Sequence, residues 1–287
     1  MAIPDLVRLP APRTAGKILA IALIPVALEA GYLFYLKRSV SRHTTASAGL
    51  RYPRDPTKSG DSKSAGAAAS NGIPASVVKP VSLPLEVADD SSSEYVLSYE
   101  RVVSQPLPAS SLRHPLPSAL LSGAPDVSTG ASLLLTVYLR ATMKAFGWTP
   151  QAFAIRAAVG SSEAKRTFDD AYIDNLDFRE GDRVDGVYTV AFRGSRDGQS
   201  EERVEMLLDP PASYRGPVVK GLIACGVEPV PSLEGVEKPA KVVFINETWL
   251  YRKTDEKPTL LEGAAGRWIH SLLAGWLIMK GLKVVSH

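Results

Sequence analysis

Thr259-Leu-Leu-Glu-Gly-Ala-Ala-Gly-Arg-Trp-Ile-His-Ser-Leu-Leu-Ala-Gly-Trp-Leu-Ile-Met-Lys-Gly-Leu282 decides the architecture. Thr259-Leu-Leu-Glu262 is a capping-box pattern: a threonine oxygen and a glutamate three residues on satisfy amides that the first helical turn leaves orphaned. Pro258 stops whatever precedes it. Leu261, Ala265, Trp268, Leu272, Trp276 and Met279 then recur at helical spacing and form a broad apolar stripe that ends at Gly281. Such a helix must lie on something apolar. It is not read as a membrane span, because Arg267, His270, Lys280 and Lys283 leave an uncharged run well short of the twenty or so residues needed.

Immediately upstream, Val242-Val-Phe-Ile-Asn-Glu-Thr-Trp-Leu-Tyr-Arg252 reads as a strand. Its side chains alternate, so Val242, Phe244, Asn246, Thr248 and Leu250 share one face and Val243, Ile245, Glu247, Trp249 and Tyr251 the other. Both faces are apolar with polar residues in the middle. Working back, Val218–Val227 and Arg203–Leu208 are strand-like, and Arg183–Arg193 reads as a strand joined to the latter by a hairpin through Asp197-Gly198. Phe153–Val159 and, weakly, Ala171–Phe178 are also expected strands. Ser132–Phe146 places Leu135, Leu139, Met143 and Phe146 on one helical face and stops at Gly147. Leu116–Leu121 fits a short helix, and Glu94–Val103 is a strand ending before Pro106.

These elements predict one α+β domain over residues 94–282: a curved antiparallel sheet of about six or seven strands packed on a long C-terminal helix, with a tail at 283–287. The order strand, short helix, longer helix, consecutive strands and long terminal helix resembles helix-grip domains, the START and polyketide-cyclase-like superfamily. That resemblance implies a sheet curled around the terminal helix, an apolar cavity between them, and binding, cyclisation or isomerisation of hydrophobic small molecules. It carries over no catalytic residue. The alternative is a hot-dog domain of the acyl thioesterase or dehydratase type, in which Phe178-Arg-Glu-Gly-Asp-Arg-Val184 before a strand also occurs. Asn246–Arg252 leading into Lys257–Glu262 and Gly266–His270 resembles uncharacterised fungal membrane-anchored proteins, some from natural-product gene clusters. This implies a polyketide or terpenoid substrate.

Outside the domain, Ile18-Leu-Ala-Ile-Ala-Leu-Ile-Pro-Val-Ala-Leu-Glu-Ala-Gly-Tyr-Leu-Phe-Tyr-Leu36 follows a tail at 1–17. As a helix it spans about 28 Å, close to the bilayer hydrocarbon. It is read as a transmembrane anchor at 18–36, with a cleaved signal as the rival. Pro25 and Glu29 fit poorly in lipid unless Glu29 meets a partner membrane helix. Basic residues are more frequent after the segment (Lys37, Arg38, Arg42, Arg51, Arg54) than before it (Arg8, Arg13, Lys17), which places the domain in the cytoplasm, at the endoplasmic reticulum or another internal membrane. Residues 37–93, rich in Ser, Ala, Gly and Pro, read as a flexible linker.

The chain of 287 residues has a net charge of only +3, so bulk charge does not hold nucleic acid. One cysteine and four histidines exclude a disulfide framework and leave little for a metal centre, and no dinucleotide or phosphate-cradling motif is present. No cofactor or metal is expected. The candidate acid–base residues are Glu247, His270 and Tyr188. A carboxylate between Ile245 and Trp249 would be desolvated and suit proton transfer, or it pairs with a neighbouring cation. His270 would carry protons near neutrality, or sit idle on the helix surface. Tyr188 would donate to a carbonyl oxygen, or pack with its hydroxyl satisfied. The expected function is therefore binding or cofactor-free cyclisation or isomerisation of a hydrophobic metabolite. The other classes are a non-catalytic lipid-binding or assembly protein of an internal membrane and an acyl thioesterase.

Overall fold

The computed structural model describes residues 31, 33–53, 72–74, 77–116, 120, 131–196, 200–230 and 240–287. The chain divides into two units, Met1–Arg42 and His43–His287. In the first, residues 33–42 are helical. The helix runs on through Lys37, Arg38, Ser39, Ser41 and Arg42, so it does not stop at the apolar boundary expected at Leu36. Most of the expected anchor, including Pro25 and Glu29, lies outside the described residues. So do most of Leu116–Leu121 and the Asp197-Gly198 turn.

The second unit is built on one open antiparallel sheet of eight strands with the order β1-β2-β8-β7-β6-β5-β4, and with β3 also paired to β8. The strands are β1 (Thr44–Arg51), β2 (Tyr95–Ser104), β3 (Leu107–Pro108), β4 (Arg183–Val184), β5 (Tyr188–Gly194), β6 (Glu202–Leu208), β7 (Lys220–Pro229) and β8 (Lys241–Lys253). The helices are α1 (Leu85–Ala88), α2 (Leu133–Gly147), α3 (Pro150–Ala158), α4 (Ser162–Arg166), α5 (Asp170–Ile173) and α6 (Ala264–Val285). The α+β class and the sheet-on-helix arrangement of the sequence reading hold.

Several boundaries are corrected. Residues 44–51, expected in a flexible linker, form the edge strand β1 in register with β2 from Thr44↔Ser104 to Arg51↔Leu97. Phe153–Val159 and Ala171–Phe178 are not strands. Thr149 caps α3 by accepting from the Ala152 amide, and Pro150 takes the first helical turn, where its missing N–H costs nothing. Three short helices, α3, α4 and α5, therefore lie between α2 and β4, where two strands were expected. The turn between β4 and β5 is Asp185-Gly186, with φ of 45° and 75°. At the C-terminus α6 continues to Val285, and Ser286 bridges to Leu112, so the expected tail is part of the fold.

The expected localisation is also corrected. Among the described residues, the one helix long and apolar enough to cross a membrane is Ala264–Val285, not an N-terminal one. Its apolarity serves the core. Leu272, Ala274, Leu277, Ile278 and Val285 are buried, and Ala274 and Ile278 pack on Val102 of β2. The single-pass topology with a cytoplasmic domain on an internal membrane is not supported.

Two helices cover one face of the sheet. α2 starts at Ser132, whose hydroxyl accepts from the Leu135 amide, and buries Leu135, Leu139, Met143 and Phe146 as its periodicity requires. Its Tyr138 ring lies 4.6 Å from that of Phe244 on β8. α6 presses on α2 at Gly281, where an added Cβ would fall 2.3 Å from the Tyr138 ring and 2.8 Å from Thr142 Oγ1. Later residues of α2 meet earlier residues of α6, so the helices run antiparallel.

The opposite face is covered by the segment before β2. Leu83 and Val87 pack on Leu97, Tyr99, Leu222, Ala224 and Trp249. Gly281→Val should cost about 1–3 kcal/mol through overpacking against Tyr138, read as a lower denaturant midpoint at unchanged slope. Unchanged stability would show that the helix pair is looser than described.

Candidate functional site

Alternation along β8 divides its central polar residues between two environments. Glu247 points away from α2 and α6, into the layer under residues 77–88. Its carboxylate accepts from Arg203 Nη2 at 2.6 Å, from Arg101 and, at 3.4 Å, from the Trp249 indole. Arg101 reaches Glu228, and Arg203 lies 3.4 Å from Glu205. Glu205 accepts from the amides of Val81 and Ser82 at 3.1 and 2.8 Å, which ties the covering segment down. Arg203 is fully buried and Glu247 is 1% exposed.

Burial alone would raise the Glu247 pKa, but the Arg203 and Arg101 guanidiniums overcome it and hold the carboxyl below its ordinary value. Glu247 is thus an ion-pair partner that keeps its charge, remote from Tyr188 and His270. A three-residue site of Glu247, His270 and Tyr188 is not what the fold assembles.

The other face brings His270 and Tyr188 together. Thr142, Tyr188, Asn246, Thr248 and His270 share a cleft of about 40 Å³ between α2, α6 and the sheet. Met143, Phe146, Leu273 and Leu277 supply its apolar wall. Tyr188 sits on β5 with its ring edge-on to Phe146 at 6.0 Å, and burial pushes its phenol pKa well up. Cys225 lies beneath, its thiol raised to about 12 by burial, so it is an inert packing residue.

Glu100, on β2, was not anticipated. Its buried carboxylate accepts from Ser271 Oγ and meets Nδ1 of His270, nearly two turns into the helix. A carboxylate on Nδ1 holds the ring in one orientation and leaves Nε2 as the acceptor nitrogen. Thr248 Oγ1 is buried with no hydrogen-bond partner, and the Asn246 amide donates only to Cys225 Sγ, at 3.6 Å. Alternation could have signalled Glu100, since Val96, Ser98, Glu100 and Val102 share one side of β2. The 170-residue separation from His270 hides the pair.

The cleft holds a carbonyl or hydroxyl group or one or two waters, whereas pockets that enclose drug-sized ligands run to ~300–1,000 Å³. Where an apolar cavity was expected between the sheet and the terminal helix, the described residues leave a cleft of only about 40 Å³. Among the described residues no group of three or more His, Cys, Asp or Glu side chains could hold a metal ion. Compared with protein-family models, curated proteins and solved structures, the chain has no match. Its chemistry is read from this geometry.

One further buried acid stands apart. Asp185, fully buried in the β4–β5 turn, has no hydrogen-bond partner for either carboxylate oxygen, and burial raises its pKa well above the ordinary 3.8.

Glu247→Ala should cost about 3–5 kcal/mol, because it takes the closest carboxylate from the fully buried Arg203 guanidinium and one of two carboxylates from Arg101; urea unfolding measures it. The folded pKa of Glu247 lies below the ordinary 4.5. Its contribution is therefore complete above about pH 4.5 and is lost as pH falls through the lower folded value. Asp185 has the opposite sign. The fold keeps a proton that the unfolded chain releases above about pH 3.8, so stability falls as pH rises from there toward the folded pKa. Asp185→Asn should remove that decline and raise stability at pH 7, read as a higher denaturant midpoint than the parent's. A variant whose stability at pH 7 is no higher than the parent's would contradict this.

Proposed function

We propose that the domain binds the polar end of a small, partly apolar molecule in the cleft beneath α6 and moves a proton on it without a cofactor, as an isomerase or cyclase does. The observation that carries the reading is the convergence of a carboxylate-held imidazole, His270, with the unpartnered buried hydroxyl of Thr248. His270 Nε2 acts as the base, Glu100 is its positioning residue, and Thr248, Asn246 and Tyr188 donate to an oxygen on which negative charge develops. The apolar remainder of the substrate lies against Leu273 and Leu277 and extends out of the cleft, which is too small to enclose it.

The helix-grip likeness agrees with this placement. The first strand of the expected domain, β2, pairs with the last, β8, the strands from β4 to β8 follow in order, and the terminal helix crosses the sheet. The hot-dog alternative gains no support of its own. The second reading is a non-catalytic assembly module, and the filled interior favours it: an apolar core closed to about 40 Å³ is what a protein with no ligand would also build.

Deuterium exchange at the α-carbon of cyclopentanone in D2O, followed by NMR with the full chain, separates the two. Exchange above that of buffer and free imidazole is expected, falling roughly 100-fold in His270→Gln and less in Thr248→Val. No exchange by the folded parent, or equal exchange by His270→Gln, would leave the assembly reading standing.

A further inference from the structure

On the solvent side of the helix pair, away from the sheet and from His270, α2 and α6 leave a second depression. They touch along Tyr138, Thr142 and Gly281. Above that line the side chains on α2 are Val137, Ala141 and Ala145 and the one on α6 is Val284, small enough to leave an open groove of about 400 Å³. Arg140 and Lys144 on α2, and Lys280 and Lys283 on α6, rim it, with Asp174 the one acidic lining residue.

The α2 cations are already engaged. Lys144 pairs with Asp174 at 2.6 Å, and Arg140 with Asp177 at 3.3 Å and the Leu176 carbonyl at 2.9 Å. Lys280 and Lys283 have no carboxylate partner among the described residues. The Lys280 ammonium instead stands 5.1 Å from the centre of the Trp276 ring. An apolar floor of this size, with two unneutralised cations along one wall, is complementary to one kind of occupant.

We propose that this groove binds an amphiphilic anion of fatty-acid size, its acidic head between Lys280 and Lys283 and its chain on Ala141, Ala145 and Val284. The volume falls within the range of small-ligand sites. The head is recognised by charge, so binding weakens with salt. The tail is recognised by removal of apolar surface from water. The site shares no residue with the cleft beneath α6 and stands whether or not that cleft catalyses.

Titration of the full chain with decanoate, decanol and decyltrimethylammonium, followed by NMR shifts of backbone amides, tests the assignment. Decanoate should shift amides of residues 137–145 and 280–284 and bind at least tenfold more tightly than the other two. Lys280→Gln with Lys283→Gln should lose at least tenfold, on side chains exposed enough to leave folding intact. Ala141→Phe should block binding by filling the floor without changing charge, while Thr248→Val should leave it untouched. Equal affinity for decanol, undiminished decanoate binding by the double lysine variant, or undiminished binding by Ala141→Phe would each overturn the proposal.

Discussion

Both faces of β8 must be covered, and most of the molecule follows from that requirement. The strand runs thirteen residues between β2 and β7, and nearly all of it is buried. On one face the helices α2 and α6 exclude water from Val242 and Phe244. On the other, residues 77–88 lie over Trp249, Tyr99 and Leu222. A charged residue in mid-span of a central strand has to find a partner in its own layer, since an unpaired buried charge is too costly to keep. Glu247 finds Arg203 and Arg101. Asn246 and Thr248, uncharged and on the reverse side, find almost nothing, which leaves polar groups on that side free to meet a ligand.

The existence of the long elements was legible. α2 and α6, β6 to β8 and the strand beginning near Glu94 appear as periodicity, caps and β-branched runs. The face that α6 buries was not. Trp268 is 44% exposed, while Gly266, Gly275 and Gly281 are buried together with Leu272 and Ile278. The helix is apolar nearly all round, so a stripe of large side chains is a poor guide to its contact surface. Here close approach is made by residues with no side chain at all.

Local chemistry also outweighed composition in two places. Thr149-Pro150 is a helix start, and it decides the fate of a run whose Phe, Ile and Val content looks extended. Residues 44–51 lack apolar periodicity, yet they form a strand because β2 offers an unpaired backbone edge and an edge strand needs only one face in contact. The site was legible in part. His270 was visible as a titratable group on a buried helix, and the alternating faces of β8 were visible too. The partner that gives His270 its role, Glu100, comes from the far end of the domain. Choosing between the two sides of β8 required knowing where the segment before β2 lies.

The pairing of β2 with β8 has a consequence for how the chain matures. These two neighbouring strands are separated in sequence by roughly the whole domain, so loop-closure entropy is met in one long step. During synthesis, β2 waits with its edge open until β8 has emerged, and α6, which seals that junction, comes later still. Nascent chains in which β8 and α6 have yet to emerge should therefore be the species most in need of chaperone protection.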